Sequence, residues 1–197
     1  MDKVILASSN PHKLLEIKAI LKDFGYALYT AEEMGFTGEI IEDGTTFEEN
    51  SYIKAKTVQE ALGEITIADD SGLMVDVLDG DPGVFSARYA SEDADYAMNN
   101  LKLLSSLEGT PFLERKARFV SVITMLFKSG EKIVCRGEME GFIALQEAGE
   151  NGFGYDPLFY LPVHKKTFAE LDTEEKNRIS HRAKALEALK EALSQRK

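Results

Sequence analysis

The sequence predicts a mixed α/β protein: one β-sheet flanked by helices, arranged as two lobes around a central cleft. Three observations carry this. In the N-terminal half, short apolar runs rich in β-branched residues alternate with stretches of helical periodicity, the pattern of strand–helix units. Over residues 118–144, strand-like runs follow one another with only turns between them, which requires antiparallel pairing. Over residues 173–195 the apolar spacing is helical again. No internal repeat, low-complexity segment or linker divides the chain, so its 197 residues read as a single domain, 1–197.

The 34 acidic residues outnumber the 23 basic ones for a net charge of -11, which speaks against nucleic acid as a partner, because that affinity comes from clustered Lys and Arg. An acidic protein that handles a phosphorylated small molecule needs a few local cations, or a divalent metal between carboxylates and phosphates. The single cysteine, Cys135, sits in an apolar run and reads as a small core residue; one cysteine forms no internal disulfide. Residues 4–7 are too short an apolar run for a leader or membrane span, so no membrane partner is expected and the cytoplasm is the expected compartment.

In chain order, residues 3–7 read as a buried strand. Ser8-Ser9-Asn10-Pro11-His12-Lys13 then opens a helix, with Asn10 suited to the cap, Pro11 to the first helical position, and Gly25 to the stop. Strand, polar loop, helix start and Lys13 together make an anion cradle, although an ordinary capped helix reads from the same residues. Residues 26–45 look loop-rich, with Gly35, Gly38 and Gly44 among Glu39, Glu42 and Asp43. Thr46-Phe47-Glu48-Glu49 has the capping-box form and starts a helix ending at Gly63. Asn50 and Lys54 lie four apart on that helix, beside its apolar stripe.

Residues 65–67 are a strand that delivers Asp69-Asp70-Ser71-Gly72 to its end, where a bend is expected before a second run over 74–78. Alternation sends Asp69 and Asp70 to opposite faces: one free to act as metal ligand or base, the other turned inward. The same residues also suit a solvated turn. Glu42 can join Asp70 on a hard cation such as Mg²⁺. A helix is expected over 93–107, with Tyr96, Asn100, Leu101, Leu103, Leu104 and Leu107 as its apolar side, then strands over 118–127, 133–137 and 141–144. In Phe153-Gly154-Tyr155-Asp156, glycines allow close backbone approach to a planar ligand, an aromatic ring can stack on a base, and Asp156 can accept from ring nitrogens; a glycine-rich loop with core aromatics is the competing reading. Ser180 caps a second segment of the C-terminal helix, leaving His181 and Arg182 in its first turn, where the helix dipole disfavours cations and favours an anionic ligand; Lys176 lies one turn before.

Six stretches in order make the chain resemble the inosine/xanthosine triphosphate pyrophosphatases. They are Ser8-Ser9-Asn10-Pro11-His12-Lys13, Thr46 to Lys54, Ala68-Asp69-Asp70-Ser71-Gly72-Leu73, Pro82-Gly83 to Tyr89, Phe153 to Pro157, and Glu175-Lys176-Asn177 to Ser180-His181-Arg182. The first departs mildly from the family pattern, with Ser8-Ser9 where Thr-Gly is frequent. The resemblance implies the family's α/β fold, a homodimer, Mg²⁺ dependence, and hydrolysis of ITP, dITP and XTP to monophosphate and pyrophosphate. It implies that Ser8, Ser9, Asn10, Pro11, His12 and Lys13, with Lys54, hold the triphosphate. Asp70 would be general base and metal carboxylate, with Ser71 touching substrate. Phe153, Gly154, Tyr155 and Asp156 would hold base and sugar, and Lys176, His181 and Arg182 would read the purine 6-oxo edge. On the same resemblance Glu42 would be the second metal carboxylate, with Glu39 its competitor, and Asp69 would support the loop. Two other readings stay open: a related pyrophosphatase for modified pyrimidine or methylated nucleotides, and a catalytically silent nucleotide sensor.

Overall fold

The computed structural model describes residues 2–8, 11–93 and 95–196, and for Pro11, His12, Leu15 and Glu16 the backbone alone. Ser9 and Asn10, read above as phosphate contacts and Asn10 also as a helix cap, therefore lie outside the described residues, as do the side chains of Pro11 and His12.

Seven strands form one sheet in the order β2-β1-β3-β4-β5-β6-β7. They are β1 (Asp2–Leu6), β2 (Tyr26–Thr30), β3 (Ile65–Val75), β4 (Lys116–Leu126), β5 (Lys132–Ile143), β6 (Phe159–Leu161) and β7 (Lys166–Thr167). β1 pairs parallel with β2 and β3, while β5–β6 and β6–β7 are antiparallel, so the sheet is mixed as expected. The helices are α1 (Pro11–Lys22), α2 (Phe47–Leu62), α3 (Tyr96–Ser106), α4 (Thr173–Ile179) and α5 (His181–Ser194). Among the described residues no helix is long and apolar enough to cross a membrane.

The chain divides into two compact units: residues 1–70, 121–137 and 184–197, and residues 71–120 and 138–183. The first has a core on each face of its strands. Val4, Leu6, Ile65 and Ile67 pack with Ile17 and Leu21 of α1 and with Leu186, Leu189 and Leu193 of α5. Ile5, Ala7 and Ala68 pack with Ala55 and Val58 of α2. Cys135 is buried in the α1 and α5 core, and burial pushes its thiol up, as befits a small packing residue. The second unit is built around Phe119, Phe159, Phe168, Leu103 and Leu107.

Five expectations need correction. Residues 26–45 are not all loop, because Tyr26–Thr30 adds an edge strand to β1, half-buried along its length; the glycine signal begins only at Gly35. β3 does not bend at Ser71-Gly72 but runs through both aspartates to Val75, a strand buried on both faces where a solvated turn has no water. The chain reverses later, through Asp79 to Gly83, and Asp76–Leu78 is a 3-10 turn rather than strand. On α3, Asn100 is buried as expected, but Tyr96 and Leu101 are exposed and Asn99 is buried as well, because the asparagine amides bond neighbouring loops. The two strands expected over 133–144 are one, β5, since Gly141 stays extended where β6 crowds it: a Cβ there would lie 2.7 Å from Tyr160 O.

The capping box of α2 is half realised. Thr46 Oγ1 accepts from Glu49 N–H at 3.1 Å, and Glu49 Oε2 accepts from the N–H of Thr45 at 2.7 Å.

Ser86 anchors the continuation of β3: its Oγ donates to Gly83 O at 2.6 Å and accepts from Leu73 N–H at 2.9 Å. Ser86→Ala strands that buried N–H, so chemical denaturation should show a loss of about 1–3 kcal/mol; an unchanged midpoint would mean the bond contributes nothing.

Candidate active site

In the first unit the site begins with strand alternation. Asp69 shares the face of Ile65 and Ile67, which α1 covers, and Lys13 in the first turn of α1 meets Asp69 Oδ2 at 2.7 Å. Asp70 shares the face of Ala68, which α2 covers. Eight positions into α2, Lys54 Nζ donates to Asp70 Oδ1 at 2.8 Å and to Glu42 Oε2 at 2.8 Å. Adjacent carboxylates are thereby held apart, each by its own lysine. Ser8 lies two residues beyond the end of β1 and is half-buried, and Ser71, half-buried, follows Asp70 as the first residue of the second unit. Lys54 brings Glu42 to Asp70, whereas Glu39 is exposed.

Electrostatics follow from burial. Asp70 is 9 % exposed. Burial pushes its carboxyl above the ordinary value, Lys54 pulls it back, and Glu42 and Asp69 push it further up. Burial alone would lower Lys54, but the Asp70 and Glu42 carboxylates outweigh it and hold the ammonium charged. Asp70 Oδ2 is buried and has no hydrogen-bond partner among the described residues. An orphaned anionic oxygen beside a second carboxylate has the donor chemistry a hard divalent cation takes. Among the described residues no group of three or more His, Cys, Asp or Glu forms a protein-only cage.

The second unit holds the other predicted residues. Asp156, buried, accepts at Oδ2 from Phe153 N–H at 2.7 Å and pairs through the same oxygen with Lys176 Nζ. Gly152, at φ +80°, is required here, since a Cβ would lie 2.1 Å from Asp156 Oδ2. Lys176 also lies 4.9 Å from the Phe153 ring centroid. The two aromatics of the loop part company. Phe153 is 43 % exposed, whereas Tyr155 is buried and donates its OH to Ser86 O at 2.8 Å; burial pushes its phenol well above the usual range. Only Phe153 keeps an accessible ring, and Tyr155 anchors the loop from below. Gly154, between them, has open space where a Cβ would point.

Ser180 separates α4 from α5 and caps the latter, its Oγ accepting from Ala183 N–H at 3.2 Å. His181 and Arg182 therefore stand in the first turn of α5, as the spacing predicts. The buried His181 ring stacks on Phe119 at 4.9 Å and 14°, which fixes its plane. Arg182 is half-buried, and Lys176 falls in the last turn of α4, where a cation is favoured. Sequence reasoning missed Phe119 under His181, the Lys13–Asp69 pair and the sharing of Lys54 by two carboxylates. All three join residues far apart in the chain, and no local pattern signals them.

Fold and side chains define a mixed-sheet α/β protein with a lysine-bridged carboxylate pair on a buried strand. Residues 4–192 match the family model described as Ham1 family, and the chain belongs to the Ham1 family. A Clostridium perfringens protein named dITP/XTP pyrophosphatase is 51 % identical over 98 % of both chains, and a Bacillus subtilis protein of that name is 47 % identical over 98 % of both. The solved Staphylococcus aureus Ham1 protein superposes with a TM-score of 0.94 at 42 % identity, over 99 % of this chain and 100 % of that one.

Asp70 has a consequence for stability. Its folded-state carboxyl titrates above the ordinary 3.8, so the native state keeps a proton that the unfolded chain has released. The group's contribution to stability therefore falls as pH rises from the unfolded value through the folded one, and the penalty is complete above the latter. Asp70→Asn removes it. The variant should melt at or above the wild-type temperature at neutral pH, with the gap closing on acidification; a lower melting temperature at neutral pH would mean that Lys54 outweighs burial.

Proposed function

We propose that this chain is a nucleoside-triphosphate pyrophosphatase that hydrolyses deaminated purine nucleotides, ITP, dITP and XTP, to the monophosphate and pyrophosphate, keeping them out of DNA and RNA. Family membership and the names of relatives about half identical over nearly the whole chain support the substrate class. The single observation that carries the chemistry is buried Asp70, raised by its surroundings, sharing Lys54 with Glu42 and keeping one oxygen free of hydrogen bonds among the described residues.

Asp70 is the general base. A carboxyl raised by burial is a stronger base than a solvated one and better matched to taking a proton from water attacking the α-phosphorus. Asp70 and Glu42 would hold Mg²⁺, which when bound supplies neutralisation of phosphate charge. Lys54 and the segment from Ser8 to Lys13 hold the triphosphate, Asp69 keeping Lys13 in place, while Ser71 touches substrate. Phe153 stacks on the base; Gly154, Tyr155 and Asp156 shape the base and sugar subsite. Lys176, His181 and Arg182 donate to the 6-oxo edge, so a 6-amino purine leaves donors unpaired, a mismatch that can reach about ten-thousand-fold. The enzyme is a cytoplasmic homodimer acting on free nucleotides, with neither nucleic acid nor membrane as partner, and residues 1–197 work as one catalytic domain.

A product assay with Mg²⁺ tests this, with ITP and XTP set against ATP and GTP and with pyrophosphate and orthophosphate quantified separately. Pyrophosphate from ITP and XTP, with little from ATP or GTP, is the expected result. Orthophosphate, or equal turnover of all four, would contradict it. Asp70→Asn should lose roughly two to four orders of magnitude in turnover, and the wild-type acid limb should fall above the ordinary carboxylate range; full turnover in the variant would remove Asp70 as base.

A further inference from the structure

α3 buries two consecutive asparagines, Asn99 and Asn100, at 2 % and 3 % exposure. Neighbours on a helix point in different directions, and these two reach different loops. Asn99 Nδ2 donates to Ala87 O at 3.0 Å, and its Oδ1 accepts from Ala90 N–H at 2.7 Å. Asn100 Nδ2 donates to Gly154 O at 3.2 Å and to Glu147 Oε1 at 2.8 Å. Four positions earlier on α3, the Tyr96 ring centroid lies 6.2 Å from that of Phe153. Tyr155 ties the loop to Ser86, just before the segment that Asn99 grips. Helix, segment and loop form one hydrogen-bonded block.

Asparagine is a poor residue for a buried helical position. Its helix propensity is low, and its amide needs partners on both sides. The partners fix its orientation, because a flipped amide would set its oxygen against a carbonyl and a carboxylate. Asn100 Oδ1 is buried with no hydrogen-bond partner among the described residues, so the side chain carries a cost that an apolar residue would not. What the amide does for that cost is hold the Gly154 carbonyl.

We propose that Asn100 is a positioning residue for the base-binding loop. Its bond to Gly154 O fixes the backbone between Phe153 and Asp156, and with it the exposed ring and the Asp156–Lys176 pair that a purine rests against. This inference rests on residues 153–156 being the base and sugar subsite. Asn100 then acts on the nucleoside end of the substrate and leaves the phosphate end alone.

Asn100→Ala and Asn100→Leu test it, the leucine filling the volume of the amide so that loss of the donor is separated from a cavity. The readouts are KM for ITP, the ITP-over-ATP preference, and the inhibition constant of inorganic pyrophosphate, which probes the phosphate end. Expected are a rise in KM for ITP of roughly tenfold or more, a reduced preference, and an unchanged pyrophosphate constant. If both constants moved together, Asn100 would be merely structural; if neither moved, it would have no role. Either result overturns the proposal. Phe153→Ala separates the two levels of failure. A weakened KM in Phe153→Ala beside an unchanged Asn100→Leu removes Asn100 alone, whereas an unchanged KM in both removes the base-loop reading with it.

Discussion

Everything in the first unit depends on β3 carrying two neighbouring aspartates through the inside of a sheet. A buried carboxylate costs several kcal/mol unless a charge partner meets it. Alternation along the strand places the two on opposite faces, so one partner cannot serve both. The chain answers with two helices, one per face, each bringing a lysine at the height of its aspartate. The positions of α1 and α2 over the sheet are thus set by charge as well as by the apolar residues they bury. Asp69 is paired with Lys13, while Asp70 is left raised and only half-compensated by the lysine it shares with Glu42.

The second unit uses the same device. Asp156, buried beneath a glycine that leaves room for it, holds Lys176 against an accessible aromatic ring. An acidic protein with net charge -11 therefore displays three lysines by anchoring each on a buried aspartate. Such anchoring sets each ammonium in one place and lowers the ordering cost when an anion binds. It also keeps the cations local, which suits a small polyanionic ligand better than a long one.

Much of this was legible in the sequence, and the exceptions have physical causes. Helix α2 could be read from Thr46 to Gly63 because its cap, its periodicity and its stop are local. The split of the C-terminal helix at Ser180 was legible for the same reason. The bend expected at Ser71-Gly72 was wrong because turn residues report backbone permissiveness, while burial on both faces of β3 decides against a turn. Strand β2 was missed because an edge strand half-buried throughout shows no alternation. Within the candidate site, Asp70, Glu42 and Lys54 were each visible as residues, but Lys54 as their shared partner was not, since it joins a loop, a helix and a strand. Asn100 was placed on the buried side of its helix, but Asn99 was not, and the same spacing wrongly included Tyr96 and Leu101, both exposed.

The proposed role of Asp70, delivery of water to the α-phosphorus, is tested most directly by hydrolysis of ITP in water enriched in heavy oxygen. The heavy oxygen should appear in the monophosphate, with unlabelled pyrophosphate released. Heavy oxygen in the pyrophosphate, or in orthophosphate, would place the attack on another phosphorus and contradict the reading of the Asp70 centre.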